Sequence, residues 1–243
     1  MKQNQRLLRI QLPHGQRVYP STFRGLLAKE PHLPNALFHR DENRRTLNGR
    51  PGIRVAGAVG WVGLVADPGF EQLVTEATGA AIMAVTGYVG RPCPVVIENP
   101  EFNITTTDRP ITYWVREMAI KRRHPSSRNS KIEPLIAQRI LTSIEACCDK
   151  YGFDCPTSEQ LGIEVVNVFH QRGVRIQVEE ELGPLKNGMT NEFATLVDAE
   201  VIIHAELAGH WFAGNLTSRG YGRLIKPVPG MRREPQNLTE VLR

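Results

Sequence analysis

The chain has 243 residues, of which 41% are apolar and 23% charged, so it is long and apolar enough to bury a core and is not a disordered chain. No apolar run approaches the roughly 20 residues of a membrane helix, and Met1–Gln5 is polar and lacks the apolar region of a secretory signal. The expected location is therefore cytoplasmic. The net charge of +5 points weakly toward a polyanionic partner.

From the N-terminus, Leu8, Ile10 and Leu12 alternate with Arg9 and Gln11, the pattern of a strand with one wet face. Pro20 and Ser21 open a short helix that runs through Arg24, Leu26, Leu27 and Ala28. His32 to Pro51 is polar and basic and reads as a long loop. Ile53 to Val65 reads as one or two buried strands with glycines at bends. Phe70 to Thr78 is expected to be helical, with strands over Ala80–Val89 and Pro94–Ile97.

The middle of the chain is basic. Between Arg109 and Arg139 stand eight Lys or Arg against two Glu, an excess of +6, so the remainder sums to −1. Positive charge gathered in one segment is the footprint of a nucleic-acid binder. Ile111–Lys121 is expected to be a helix, followed by a turn over His124–Ser127. Ser130 and Glu133 form a capping box. Ile132, Ile136, Ile140 and Ile144 recur every four residues, as on an amphipathic helix ended by Gly152. Together these predict a helical hairpin with a basic tip.

Strands return around Val174–Val178 and Val201–Leu207, and Gly209 to Leu224 is glycine-rich. This last stretch lacks the lysine and Ser/Thr ending of a nucleotide-binding P-loop. It reads either as a tight hairpin loop or as a nest of N–H groups facing phosphate. In the second case Arg219 and Arg223 add charge, and Trp211 or Tyr221 is available to stack on a base. The order of strands, helices, then strands predicts an α+β fold. Cys93, Cys147, Cys148 and Cys155 have no zinc-site spacing and are expected to be reduced thiols. No pair among the seven histidines has a metal-ligand spacing. Glu179, Glu180 and Glu181 are consecutive, so a strand would split them between faces, and no metal or other cofactor is expected.

Ser218-Arg219-Gly220-Tyr221-Gly222-Arg223 resembles the C-terminal glycine-rich loop of the RAMP superfamily, the RNA-binding proteins of CRISPR systems. Pro20-Ser21-Thr22-Phe23-Arg24-Gly25-Leu26-Leu27 resembles the entry to that superfamily's first helix. A basic helical finger between two such units resembles the type IV branch of the CRISPR RNA processing endonucleases. The resemblance implies two ferredoxin-like (RRM-like) units, over 1–107 and 157–243, with an arginine-rich helical finger inserted over 108–156. It also implies metal-independent cleavage of precursor CRISPR RNA beside a repeat stem-loop. The substrate's 2′-OH would attack, leaving a 2′,3′-cyclic phosphate and a 5′-OH, and the product would stay bound among the subunits of an effector complex. A non-catalytic RAMP subunit that scaffolds guide RNA is the alternative.

Such chemistry needs a base and a clamp for the phosphorane. Histidine titrates near neutrality and suits the first role, and arginine stays charged and suits the second. His39 is the candidate base, with Arg24 and Arg40 as clamps. RNA contacts are expected from Arg116, Lys121, Arg122, Arg123, Arg128 and Lys131 on the finger. Gly214, Arg219, Gly220, Tyr221, Gly222 and Arg223 are expected to supply them from the glycine-rich loop.

Overall fold

Residues 6–98 run strand, helix, strand, strand, helix, strand: β2 Arg6–Gln11, α1 Pro20–Leu27, β3 Ile53–Ala58, β4 Trp61–Ala66, α2 Glu71–Val89 and β5 Val95–Glu98. A two-residue strand, β1 Gln3–Asn4, precedes them. The computed structural model describes residues 3–43, 47, 49–121, 131–182 and 186–230, with backbone alone for 175–182 and 186–193. β3, β4, β2 and β5 lie side by side in that order, each antiparallel to its neighbour. Both helices cover one face. Leu8, Ile10, Val62 and Leu64 meet Phe23 and Leu27 of α1 and Val74, Ala77, Ala81 and Val85 of α2.

The strand expected over Ala80–Val89 is instead the second half of α2, a single 19-residue helix. The buried positions Val74, Ala77, Ala81 and Val85 keep a spacing of three and four across Gly79. Packing on the sheet outweighs the β-branched residues that suggested a strand, and Gly79 costs only about 1 kcal/mol relative to alanine. α1, the two strands over Ile53–Val65 and the strand near Pro94–Ile97 form as expected.

The second lobe consists of β6 Glu101–Lys121, α3 Ile132–Tyr151, α4 Ser158–Leu161, β7 Glu164–Leu182, β8 Lys186–Ala208, β9 Trp211–Phe212 and β10 Arg223–Ile225. Its sheet runs β7-β8-β6-β10-β9, and β1 pairs with the start of β6. The helix expected over Ile111–Lys121 is therefore strand: Tyr113 and Val115 alternate into the core and pair with β8. The expected helical hairpin reduces to α3. Its stripe of Ile132, Ile136, Ile140, Ile144 and Cys147 is buried as predicted, and Gly152 caps it in the left-handed conformation. The N-cap is Lys131, without a side-chain cap bond; Ser130 lies outside the described residues. A capping box forms instead at Thr157 and Gln160 of α4. β7 and β8 stay paired to Leu182↔Lys186, and the described residues of β6 pair with β8 as far as Lys121↔Ala194. Among the described residues the β7–β8 pairing thus extends about 25 Å beyond the last β6 pair.

Cys93, Cys147 and Cys148 are buried free thiols and Cys155 is an exposed one. Among the described residues no helix is long and apolar enough to cross a membrane.

The helix-free face of the first sheet docks on the second lobe through Leu7, Ala56, Val65 and Phe212. Beside this patch lies Asp67, fully buried. Its carboxylate accepts both Nη groups of Arg54, itself fully buried, and Gln5 Nε2 at 2.9 Å. Tyr151 Oη, from the end of α3, donates to the same carboxylate at 2.8 Å. Arg50 Nε approaches to 3.6 Å. The two guanidiniums and these donors hold the Asp67 carboxyl well below the usual carboxylate range, against the cost of burial. Asp67→Asn leaves Arg54 as an uncompensated buried charge, so the unfolding free energy from denaturant titration should fall by about 3–5 kcal/mol. A loss below about 1 kcal/mol would show that the pair does not hold the lobes.

Candidate nucleic-acid interface

Arg24 sits in the last turn of α1. Its Nη2 donates to the Phe38 carbonyl at 3.1 Å, and its guanidinium lies 5.4 Å from the centre of the Phe38 ring. Phe38 ends a 3-10 turn over Asn35–Phe38, and His39 follows in the left-handed region at φ 58°. That conformation is uncommon outside glycine, though histidine is enriched in it. The main chain secures it: His39 C=O accepts the Leu47 N–H at 3.0 Å, and the Arg40 N–H donates to Asn35 C=O at 3.1 Å. Arg24 is thereby fastened to the segment that carries His39 and Arg40. The half-buried imidazole of His39 has its pKa lowered by desolvation, opposed by hydrogen bonds with the backbone of Gly49 and Leu47. The burial favours the neutral imidazole, the form that can accept a proton.

The glycine-rich stretch comes to this region from the far end of the chain. Gly220 has φ 87°, and a Cβ there would lie 2.5 Å from Pro20 Cβ and 2.9 Å from Val55 O. Only glycine fits between the first residue of α1 and β3. The Pro20–Leu27 and Ser218–Arg223 motifs, about 200 residues apart in sequence, are therefore packed against each other. β9 and β10 pair in antiparallel register, but the ten residues 213–222 connect them, so the stretch is not a tight hairpin. The N–H groups of Gly214, Gly220 and Gly222 donate to Ser143 Oγ, Thr217 O and Arg116 O at 3.3, 3.0 and 2.9 Å. These three amides are engaged within the fold, which corrects the expectation of a phosphate nest. Trp211 is also corrected as a stacking platform: it is buried, its Nε1 donates to Ala208 O, and its ring packs on Phe102.

Of the loop's charged residues, Arg219 ends the 3-10 turn Thr217–Arg219. Arg223 pairs in register with Arg116 of β6. The Arg223 guanidinium lies 5.0 Å from the Trp61 ring, as does that of Arg9, and its Nη2 is 3.3 Å from His210 Nδ1. Tyr221 is partly buried, which raises its pKa, with Glu117 adding to the rise and Arg219 and Arg172 opposing it. Lys121 ends β6, and its N–H donates to Asn215 Oδ1 at 3.1 Å. Lys131 stands exposed at the head of α3. Arg122, Arg123 and Arg128 lie outside the described residues.

The structure thus joins Arg116, Lys121, Arg219, Tyr221 and Arg223 around the glycine-rich stretch. The sequence reading missed Asp67 and its partners. Arg54 was the available signal, because a charge inside the buried strand Ile53-Arg54-Val55-Ala56 demands a counter-ion. Among the described residues no group of three or more His, Cys, Asp or Glu could hold a metal ion.

Residues 1–229 match the family model of the type IV CRISPR-associated endonuclease Csf5. Among solved structures, Csf5, a CRISPR-Cas type IV Cas6 crRNA endonuclease, is 32% identical with a TM-score of 0.78, over 93% of this chain and 100% of that one. The crystal structure of Cas6b is 15% identical with a TM-score of 0.52, over 93% and 100%, a likeness of fold alone. No curated protein sequence matches the chain.

His210 carries a pH signature of the lobe contact. Its backbone N–H and C=O are both bonded to the Gln5 side chain, at 2.7 and 3.0 Å. Burial first, then Arg223 and Arg9, push its imidazole down to about 3 from 6.5. Below pH 6.5 the unfolded chain takes up a proton that the folded one refuses, so stability falls as the pH drops from 6.5 toward 3. Thermal midpoints measured from pH 7 to 4.5 should fall more steeply for the wild type than for His210→Gln, and parallel slopes would remove His210 from this account.

Proposed function

This chain belongs to the type IV CRISPR-associated endonuclease Csf5 family, and on that premise we propose that it binds the repeat stem-loop of precursor CRISPR RNA and cuts beside the stem. The observation that carries the reading is the packing of Gly220 on Pro20 and Val55. It joins the glycine-rich loop to the helix that bears Arg24. The strand orders support reading both lobes as ferredoxin-like units. The first is a complete strand-helix-strand-strand-helix-strand unit. In the second, residues 209–222 stand where the second helix would be.

In the proposed reaction, His39 takes the proton from the substrate 2′-OH. The 2′ oxygen attacks the adjacent phosphorus and the bond to the 5′ oxygen breaks. The leaving oxygen takes a proton from water and His39 returns its own to the solvent, giving a 2′,3′-cyclic phosphate and a 5′-OH. Arg24 and Arg40 hold the charge that builds on the phosphorane, where preorganised donors are most effective. No step calls for a metal ion. Lowering of the His39 pKa supports its role as base, since the imidazole starts unprotonated. Arg122, Arg123, Arg128 and Lys131 grip the stem, an A-form helix read through its phosphates and shape. The same grip keeps the product bound within a cytoplasmic effector complex.

Cleavage of a repeat hairpin in EDTA should proceed in the wild type and stop when the nucleotide before the cut is deoxy. Cutting of the deoxy substrate would mean hydrolysis, and binding without any cutting would favour a scaffolding subunit. His39→Asn keeps a residue that tolerates left-handed φ and should lower the single-turnover rate about 10²-fold with unchanged affinity. Reversing charge at Arg122 and Arg123 should instead weaken binding and flatten the salt slope by about 2, with an unchanged slope rejecting the stem contact.

A further inference from the structure

A bulge in the middle of β6 places charge where a regular strand would not. Val115 and Met118 both enter the core under α3, and the register with β8 shifts between them. Arg116 and Glu117 are therefore both turned from that core instead of alternating. Glu117 adopts φ 47°, one of three non-glycine residues with positive φ among those described. A left-handed residue with a side chain costs about 1–2 kcal/mol, and its surroundings hold it there. Its N–H donates to Asp198 Oδ1 at 2.6 Å, and its Oε1 accepts Arg172 Nη2 at 3.0 Å. The carbonyl of Arg116 accepts the Gly222 N–H.

Parity places the rest. Val197, Ala199 and Val201 of β8 face the helices, so Asp198 faces the other side. Its register partner is His170, and Arg172 pairs with Leu196 on the same face. Asp198 is buried in the field of Arg116, His170 and Arg172. Tyr221 lies in that of Glu117, Arg219 and Arg172. His170 Nε2 and Arg172 Nε are buried without a hydrogen-bond partner among the described residues.

We propose that this bulge, pinned by Asp198, aligns Arg116, Arg172 and Arg219 into one phosphate-contacting row, with Asp198 and Glu117 as its positioning residues and Arg172 as an additional RNA contact. The inference rests on the RNA-binding reading above. Asp198 supplies the acceptor that keeps Glu117 left-handed, Glu117 then aims its carboxylate at Arg172, and the Arg116 carbonyl ties the row to the glycine-rich loop. The row serves binding and not the chemical step. Loosening it should therefore weaken affinity without slowing cleavage of bound RNA.

The test uses the full chain and a repeat hairpin RNA. Asp198→Ala should raise the Kd about tenfold and flatten the salt slope by about 1–2, as for lost phosphate contacts. The single-turnover rate at saturating enzyme should stay that of the wild type. Asp198→Asn keeps an oxygen acceptor for the Glu117 N–H and should restore the Kd. A folded Asp198→Ala protein with wild-type Kd and slope overturns the proposal, as does a loss that Asn fails to restore. Should Asp198→Ala not fold, Glu117→Gly holds the left-handed backbone without strain and frees Arg172. An unchanged Kd in that variant is equally fatal. A wild-type chain that binds no hairpin overturns the functional reading together with this one, whereas wild-type binding with unaffected variants removes the row alone.

Discussion

A carboxylate and a guanidinium buried together hold the two lobes in one arrangement. Asp67 and Arg54 both belong to the first lobe, where Arg54 also donates to the Pro51 carbonyl, yet both are completed from the second lobe. Tyr151 of α3 completes the shell of Asp67, and the ring of Phe212 covers Arg54 at 5.2 Å. Gln5 bonds Asp67 with one side-chain amide hydrogen and the backbone of His210 with its remaining polar atoms. Arg50 reaches across to the Phe212 carbonyl at 3.2 Å. Apolar contact between the lobes is non-directional and would tolerate sliding. A buried carboxylate with donors from Arg54, Gln5 and Tyr151 does not, because any shift leaves a polar group unpaired at a cost of about 1–3 kcal/mol or more. In this protein the ion pair serves register between lobes, a use better supported for buried ion pairs than net stabilisation.

That register is what brings the candidate site into being. Gly220 reaches Pro20 and Val55 because β9 and β10 are held against the first sheet through Phe212. The three non-glycine residues with positive φ among those described are His39, Glu117 and Leu216. Each sits at a place where the main chain turns into or away from the seam: after the 3-10 turn that holds Arg24, at the β6 bulge, and at the start of the turn that ends in Arg219. Strained backbone of this kind persists only where its surroundings over-determine it. Hydrogen bonds from elements distant in sequence supply that constraint at Glu117, whose N–H finds Asp198 81 residues away.

The glycine-rich stretch has a different physical role from the one its composition suggests. The amides of Gly214, Gly220 and Gly222 are bonded within the protein, and these glycines are small so that the chain can pack against its neighbours. A Cβ at Gly222 would lie 1.8 Å from the Ala213 carbonyl. The stretch is thus a packing element that buries Trp211, Phe212 and Thr217 and carries the partly buried Arg219, Tyr221 and Arg223 to the seam.

The sequence alone determined the α+β class, α1, the Ile53–Val65 strands, the isoleucine stripe of α3 with its glycine cap, and the two motifs of the family resemblance. These depend on local periodicity and turn chemistry, which a single segment displays in full. It misjudged the far half of α2 and the residues 111–121, where apolar and β-branched side chains suit helix and strand alike and only the neighbouring surface decides. It was silent on Asp67, Tyr151 and Asp198, because a lone acid or phenol carries no sign of its partner until folding closes a gap of 81 or 84 residues. Tertiary structure alone decided which charges are neutralised in the interior and which line the seam, since the electrostatic cost of a group is set by its surroundings and not by its neighbours in sequence.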